Sequence, residues 1–161
     1  MPTINVRDNL NLKSESKCAT LPIINGGKLY LVEFKADVGV RINNITDGIF
    51  TLISDVKDPD MIAGETRLID FKAVATNKYV MRTIHIRSGT LVIDRIEVDL
   101  ENKTATRTEE ATYSLSWISA WEEIAHSIVI PPYLWIAMDK ESGYVHYVDL
   151  RNGDDVNFDS G

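Results

Sequence analysis

The chain has 161 residues, 44% of them hydrophobic and 25% charged, with a formal net charge of −7. That balance excludes a disordered polyelectrolyte, and an acidic domain repels phosphate backbones, which argues against nucleic acid binding by a broad basic surface. The only cysteine is Cys18, so an intrachain disulfide and zinc sites built on paired cysteines are excluded, and a reducing compartment is favoured.

The length predicts one domain, residues 1–161, with mobile ends at 1–17 and 151–161. The start, Met-Pro-Thr-Ile-Asn-Val-Arg-Asp, has no apolar core of a signal peptide. No apolar run approaches the roughly 18 residues of a membrane span. The expectation is a cytoplasmic protein without a membrane segment.

In chain order, residues 1–17 are polar apart from scattered Ile4, Val6, Leu10 and Leu12. Two apolar runs, 21–24 and 28–36, flank Asn25-Gly26-Gly27, a strong hairpin signal. The Gly-Gly-Lys there lacks the upstream glycine and the following Ser or Thr of a phosphate loop. Tyr30, Val32 and Phe34 alternate toward the core. Runs 38–45 and 49–56 flank Asp47-Gly48, a second hairpin signal; a two-residue turn would pair Ile45 with Phe50 and Ile42 with Ile53. Pro59 ends the pattern in a loop whose Asp55, Asp58 and Asp60 are more simply hydrated than cation-binding.

Residues 66–100 predict a three-stranded meander with turns at Asn77-Lys78 and Ser88-Gly89. Two-residue turns place Ile69 beside Ile86 and Phe71 beside Ile84, with Leu91 and Ile93 on the third strand, closed at one end by Arg82, Arg95 and Glu97. On the other face the same register brings Asp70 beside His85, and Lys72 beside Thr83 and Asp94. Met81, Ile96, Tyr79 and Val98 follow. Antiparallel sheets commonly face water on one side, so the polar half is expected to be a solvated face. Its chemical alternative is a hydrolase in which His85 acts as general base, Asp70 orients it, Thr83 or Lys72 binds substrate, and Asp94 holds a metal or shares the proton.

Residues 106–112 read as an edge strand or loop. Tyr113, Trp117, Ile118, Trp121, Ile124, Ala125 and Ile128 then recur at helical spacing, which predicts an amphipathic helix near 113–128, capped by Thr112, Ser114 or Ser116 and ended by Pro131-Pro132. A last hairpin, 133–138 and 144–150, encloses the loop 139–143. The tail carries Asp155-x-Asn157-x-Asp159 but neither the glycine nor the final Glu of a calcium loop in place. His126 and His146 have no ligand spacing, and no metal or other cofactor is implied.

The fold class is therefore α+β and mostly β: a twisted antiparallel sheet of successive hairpins, with curling toward a barrel as one option, and one helix packed on it. The function expected is a non-enzymatic soluble interaction protein of bacterial or viral accessory or inhibitor type, binding a protein partner. The first alternative is a carrier of a small apolar ligand, with Trp117, Trp121, Trp135, Tyr144 and Tyr147 as binding residues. The second is the His85 hydrolase.

Overall fold

Gly26, Gly48 and Gly89 turn the chain at φ values of 57°, 68° and 77°, as their Asn-Gly, Asp-Gly and Ser-Gly contexts predict, because only glycine adopts these angles without a steric penalty. In this computed structural model, which describes residues 19–35, 39–53 and 66–159, such turns join neighbouring strands within three antiparallel sheets of four strands each. The N-terminal sheet holds β1 (Ala19–Asn25), β2 (Lys28–Lys35), β3 (Gly39–Asn44) and β4 (Ile49–Ile53). The central sheet holds β5 (Arg67–Ala75), β6 (Lys78–Arg87), β7 (Thr90–Asp99) and β8 (Thr104–Ser114). The C-terminal sheet holds β9 (Ile124–Ile130), β10 (Leu134–Asp139), β11 (Tyr144–Asp149) and β12 (Asp155–Asp159). In each, sequence neighbours are neighbours in space. The sheets are separate and open, so the fold is mostly β and the barrel option is not realised.

The expected helix at 113–128 does not form. Tyr113 and Ser114 are the last residues of β8, residues 115–120 are irregular, a single 3₁₀ turn covers Trp121–Glu123, and β9 starts at Ile124. The spacing that suggested a helix arises from a strand end, a loop and a strand in succession. Ser114, Ser116 and Ser119 are poor helix formers, and Ile124, Ile128, Val129 and Ile130 are β-branched. The carboxylate of Glu123 instead accepts the Ser119 amide at 2.7 Å and its hydroxyl at 2.6 Å, fixing the tight turn. The acidic tail is likewise not frayed throughout, because residues 155–159 pair along β11. Residues 1–17 and the Asp55, Asp58, Asp60 loop lie outside the described residues.

The middle strands of the central sheet, β6 and β7, are buried on both faces. On one, Ile69, Ile84, Ile86, Leu91 and Ile93 pack against Leu115, Ile118, Trp121, Trp135, Ala137, Val148 and Leu150. On the other, Leu68, Phe71, Tyr79, Met81, Ile96 and Val98 pack with Ile42 and the half-buried Tyr30 of the N-terminal sheet. The β6–β7 register is the expected one throughout, with Thr83 opposite Asp94, Met81 opposite Ile96 and Tyr79 opposite Val98.

The β5–β6 register differs. The turn is Thr76-Asn77, with Asn77 at φ 59°, and irregularities fall between Leu68 and Asp70 and between Ala73 and Ala75. Phe71 therefore lies opposite Met81, not Ile84, and Asp70 opposite Arg82, not His85. A bulge adds one residue to its strand and reverses which side chains share a face. Ile69 keeps its expected face and Phe71 moves to the other, where it stacks on Tyr79 with ring centroids 4.9 Å apart.

The β3–β4 turn is also longer than expected. Asn44 faces Ile49 and Ile42 faces Thr51. Asn44 Oδ1 accepts the Asp47 amide at 3.1 Å, and its amide group donates to the Asp47 carboxylate at 2.8 Å. Lys28 pairs with the same carboxylate. These side-chain bonds close a four-residue turn that Asp-Gly alone does not demand.

Phe71→Ala is expected to destabilise the protein by about 3–5 kcal/mol in denaturant titration, as a large core side chain is lost. Combined with Tyr79→Leu the losses should be non-additive, and combined with Ile84→Val they should add, because Ile84 lies on the opposite face. Coupling to Ile84 instead of Tyr79 would restore the unbulged register.

Candidate interaction surface

Three groups of side chains carry the polar and aromatic features. The first lies on the central sheet, where the expected solvated face turns out to be covered. His85 is 1% exposed and Asp94 0%, and Thr83 is buried beside them. His85 Nδ1 stands 3.4 Å from the Asp94 carboxylate, and the Arg107 guanidinium of β8 forms an ion pair with the same carboxylate at 3.0 Å. The sequence brings His85, Thr83 and Asp94 together as expected, and Arg107 completes the cluster. The sequence gives no signal for Arg107, because the threonine-rich residues 106–112 read equally as strand or loop. Asp70 and Lys72 do not join it. They pair with each other at 3.7 Å, away from His85. A buried carboxylate held between a guanidinium and an imidazole is how a fold tolerates a charge inside, since an unpaired one is strongly destabilising.

The second group is a column of rings between the central and C-terminal sheets. Arg67 caps Trp121 at 4.8 Å, and Trp121 stacks on Trp135 at 5.8 Å. Trp135 stacks on Trp117 at 5.9 Å, and Trp117 on His146 at 3.8 Å with planes 9° apart. His146 Nδ1 then meets the Asp155 carboxylate of β12 at 2.8 Å. The column runs from β5 to the last strand. Trp121, Trp135 and His146 are buried and Trp117 half-buried, so these tryptophans are core filler. Beside Trp117 lies a cleft of about 250 Å³ whose other walls are Glu122, Glu123, Asp139, Lys140 and Glu141. Its lining is charged rather than apolar.

The third group is the outer face of the C-terminal sheet. The pairing of β9, β10, β11 and β12 aligns Ile128, Ile136, Tyr147 and Val156 in one row. His126, Met138, Val145 and Phe158 form the next. Ile130 and Leu134 extend the sheet's apolar surface beyond them. Ile128 is 58% exposed, Val156 55% and Phe158 59%. Tyr147 and Phe158 meet edge to face at 5.7 Å, which stiffens the surface without covering it. Alternation makes this face possible. Trp135, Ala137, His146 and Val148 point inward, so the intervening residues must point out. They are apolar where a solvated strand would place polar residues. Of the expected binding residues, Tyr144 and Tyr147 are exposed, and Tyr147 belongs to this face.

The segment that carries this surface is acidic. Residues 121–159 hold eight carboxylates, Glu122, Glu123, Asp139, Glu141, Asp149, Asp154, Asp155 and Asp159, against Lys140 and Arg151, a net of −6 out of the −7 of the chain. Most sit in the turns that rim the sheet. Asp149 accepts two bonds from the Arg151 guanidinium, at 3.0 and 2.7 Å, and one from the Arg151 amide at 2.9 Å. These bonds lower its pKa to about 2. No helix among the described residues is long and apolar enough to cross a membrane. No family model matches the chain, and no curated protein matches it.

Two outcomes follow from this geometry. Trp135→Ala should destabilise by about 3–5 kcal/mol by opening the centre of the column, measured as a fall in the denaturation midpoint. Asp149 should titrate near 2 in carboxyl NMR. A folded pKa below the unfolded value of about 3.9 means that its contribution to stability is full above pH 4 and is lost as the pH falls through 2. Arg151→Ala should return the midpoint toward the ordinary carboxylate range; an unmoved midpoint would assign the shift to another cause.

Proposed function

We propose that the protein is an interaction module that binds a basic protein partner through the outer face of its C-terminal sheet. The observation that carries this reading is the pair of apolar rows, Ile128–Ile136–Tyr147–Val156 and Met138–Val145–Phe158, open on one face. Contiguous apolar patches rimmed by polar groups mark interaction sites in soluble proteins. The rim decides the kind of partner. With eight carboxylates around two bases, a second copy of the chain would bring like charges together, whereas a basic surface would be steered in and held. Tyrosine, phenylalanine, methionine and isoleucine supply the central contacts, and the carboxylates supply rate and specificity.

The test uses two variants of equal burden, Ile128→Glu on the outer face and Thr108→Glu on the central sheet's exposed edge strand. A partner identified by mass spectrometry is purified and its binding measured with each. Binding should weaken at least about 100-fold in Ile128→Glu, remain within about threefold in Thr108→Glu, and fall with rising salt. Equal binding by both variants, or a partner with an acidic contact surface, would overturn the proposal. Melting temperatures of the variants should match the parent, since Ile128 is exposed and its replacement opens no cavity.

A further inference from the structure

The strand β12 (Asp155–Asp159) ends the C-terminal sheet. Its only strand partner among the described residues is β11, and all five of its residues are exposed. The opposite edge strand of the same sheet, β9, lies against β5. The long edge strand β8 is blunted by charge, with Glu110 paired to Arg82 at 2.7 Å and Glu109 to Arg87 at 3.1 Å, and charged side chains are how natural sheets discourage edge pairing. The pattern on β12 is different. Val156 and Phe158 extend the apolar rows of the outer face, while Asp155 and Asp159 lie on the other side of the strand. Asp155 is bonded to His146, itself stacked on Trp117, so the edge is tied to the aromatic column.

We propose that β12 is a docking edge that takes up an extended segment of the basic partner as a fifth strand, with apolar and basic side chains alternating along that segment. The inference rests on the outer face being the interaction surface and names the form in which the partner meets it. Backbone hydrogen bonds to β12 supply affinity, and the alternation supplies specificity. Apolar residues of the incoming strand continue the rows beyond Val156 and Phe158, and its lysines or arginines lie beside Asp155 and Asp159 as cross-strand pairs. Self-pairing of β12 in an antiparallel arrangement centred on Asn157 would set Asp155 against Asp159 of the second copy, so the same charges that attract a basic strand discourage a dimer.

The probes are three seven-residue peptides added to the full chain: alternating Val and Lys, alternating Val and Glu, and the Val–Lys peptide N-methylated at alternate amides. In the free protein, alternate amides of β12 should exchange with solvent fast. On adding the Val–Lys peptide these amides should become protected at least about tenfold, with chemical-shift changes centred on β12 and β11. The Val–Glu peptide should bind at least about tenfold more weakly, and the N-methylated one should give no protection. Asp159→Lys should reverse the preference between the two unmethylated peptides. Protection of these amides before any peptide is added, equal binding of the N-methylated peptide, or indifference to peptide charge would each overturn the proposal. Peptide pairing at β12 with a partner indifferent to Ile128→Glu would remove the face reading and keep the edge. Loss of the partner in Ile128→Glu with no peptide protection at β12 would remove the edge and keep the face.

Discussion

Burial of the middle strands of the central sheet on both faces is the constraint on which the rest of this structure depends. A strand covered on one side needs an apolar residue at every second position; a strand covered on both needs one almost everywhere. β6 and β7 meet that demand with Tyr79, Met81, Ile84, Ile86, Leu91, Ile93, Ile96 and Val98, all buried. Each fully buried side chain of this size contributes roughly 1.5–3 kcal/mol of transfer free energy. The polar exceptions are then fixed in their arrangement. Asp94 lies between Arg107 and His85, because a carboxylate inside two covered layers needs charged or donating neighbours.

The bulge beside Ile69 is the local device that lets β5 serve both layers. Leu68 and Phe71 pack on the side of Ile42 and Tyr79, whereas Ile69 packs on the side of Trp121 and Trp135. A regular strand would put Ile69 and Phe71 on one side. The extra residue turns the strand, and one edge strand thereby joins two cores. Its cost is a locally disrupted ladder at the edge of the sheet, where such disruption is least damaging.

The C-terminal sheet divides its work between its faces. The inner face is rigid, filled by Trp135, Ala137 and Val148 and clamped by the Trp117–His146 stack. The outer face is apolar and open, and residues 121–159, which carry it, hold nearly all of the net charge of the molecule. Rigid aromatic and aliphatic anchors lose little conformational entropy on binding, and like-signed rims keep copies of the chain apart. On the proposed reading, stability and recognition draw on different side chains of the same strands. On this account Ile128 or Phe158 can change without unfolding the domain, whereas Trp135 cannot.

Local chemistry and pattern determined much of the architecture. Asn-Gly, Asp-Gly and Ser-Gly marked turns at positive φ. The β6–β7 register followed from a two-residue turn, and with it the approach of His85, Thr83 and Asp94. The last hairpin around 139–143 followed from its flanking apolar runs. What depended on the tertiary structure was what each face meets. Helical spacing across 113–128 was produced by a strand, a loop and a strand, and periodicity cannot distinguish that succession from one helix when both strand faces are apolar. The bulge in β5, which separates Asp70 from His85, has no signal of its own, because the compensation for an unpaired residue lies in the layers it packs against. The His85 face is apolar in one half and polar in the other, and whether water or a second sheet covers such a face is decided by residues distant in the chain. The alternation of β10 and β11 is legible in the last hairpin of the sequence, whereas β9 reads there as helix and β12 as a polar tail; only the stacking of the opposite face on the central sheet determined which side of the alternation would remain in water.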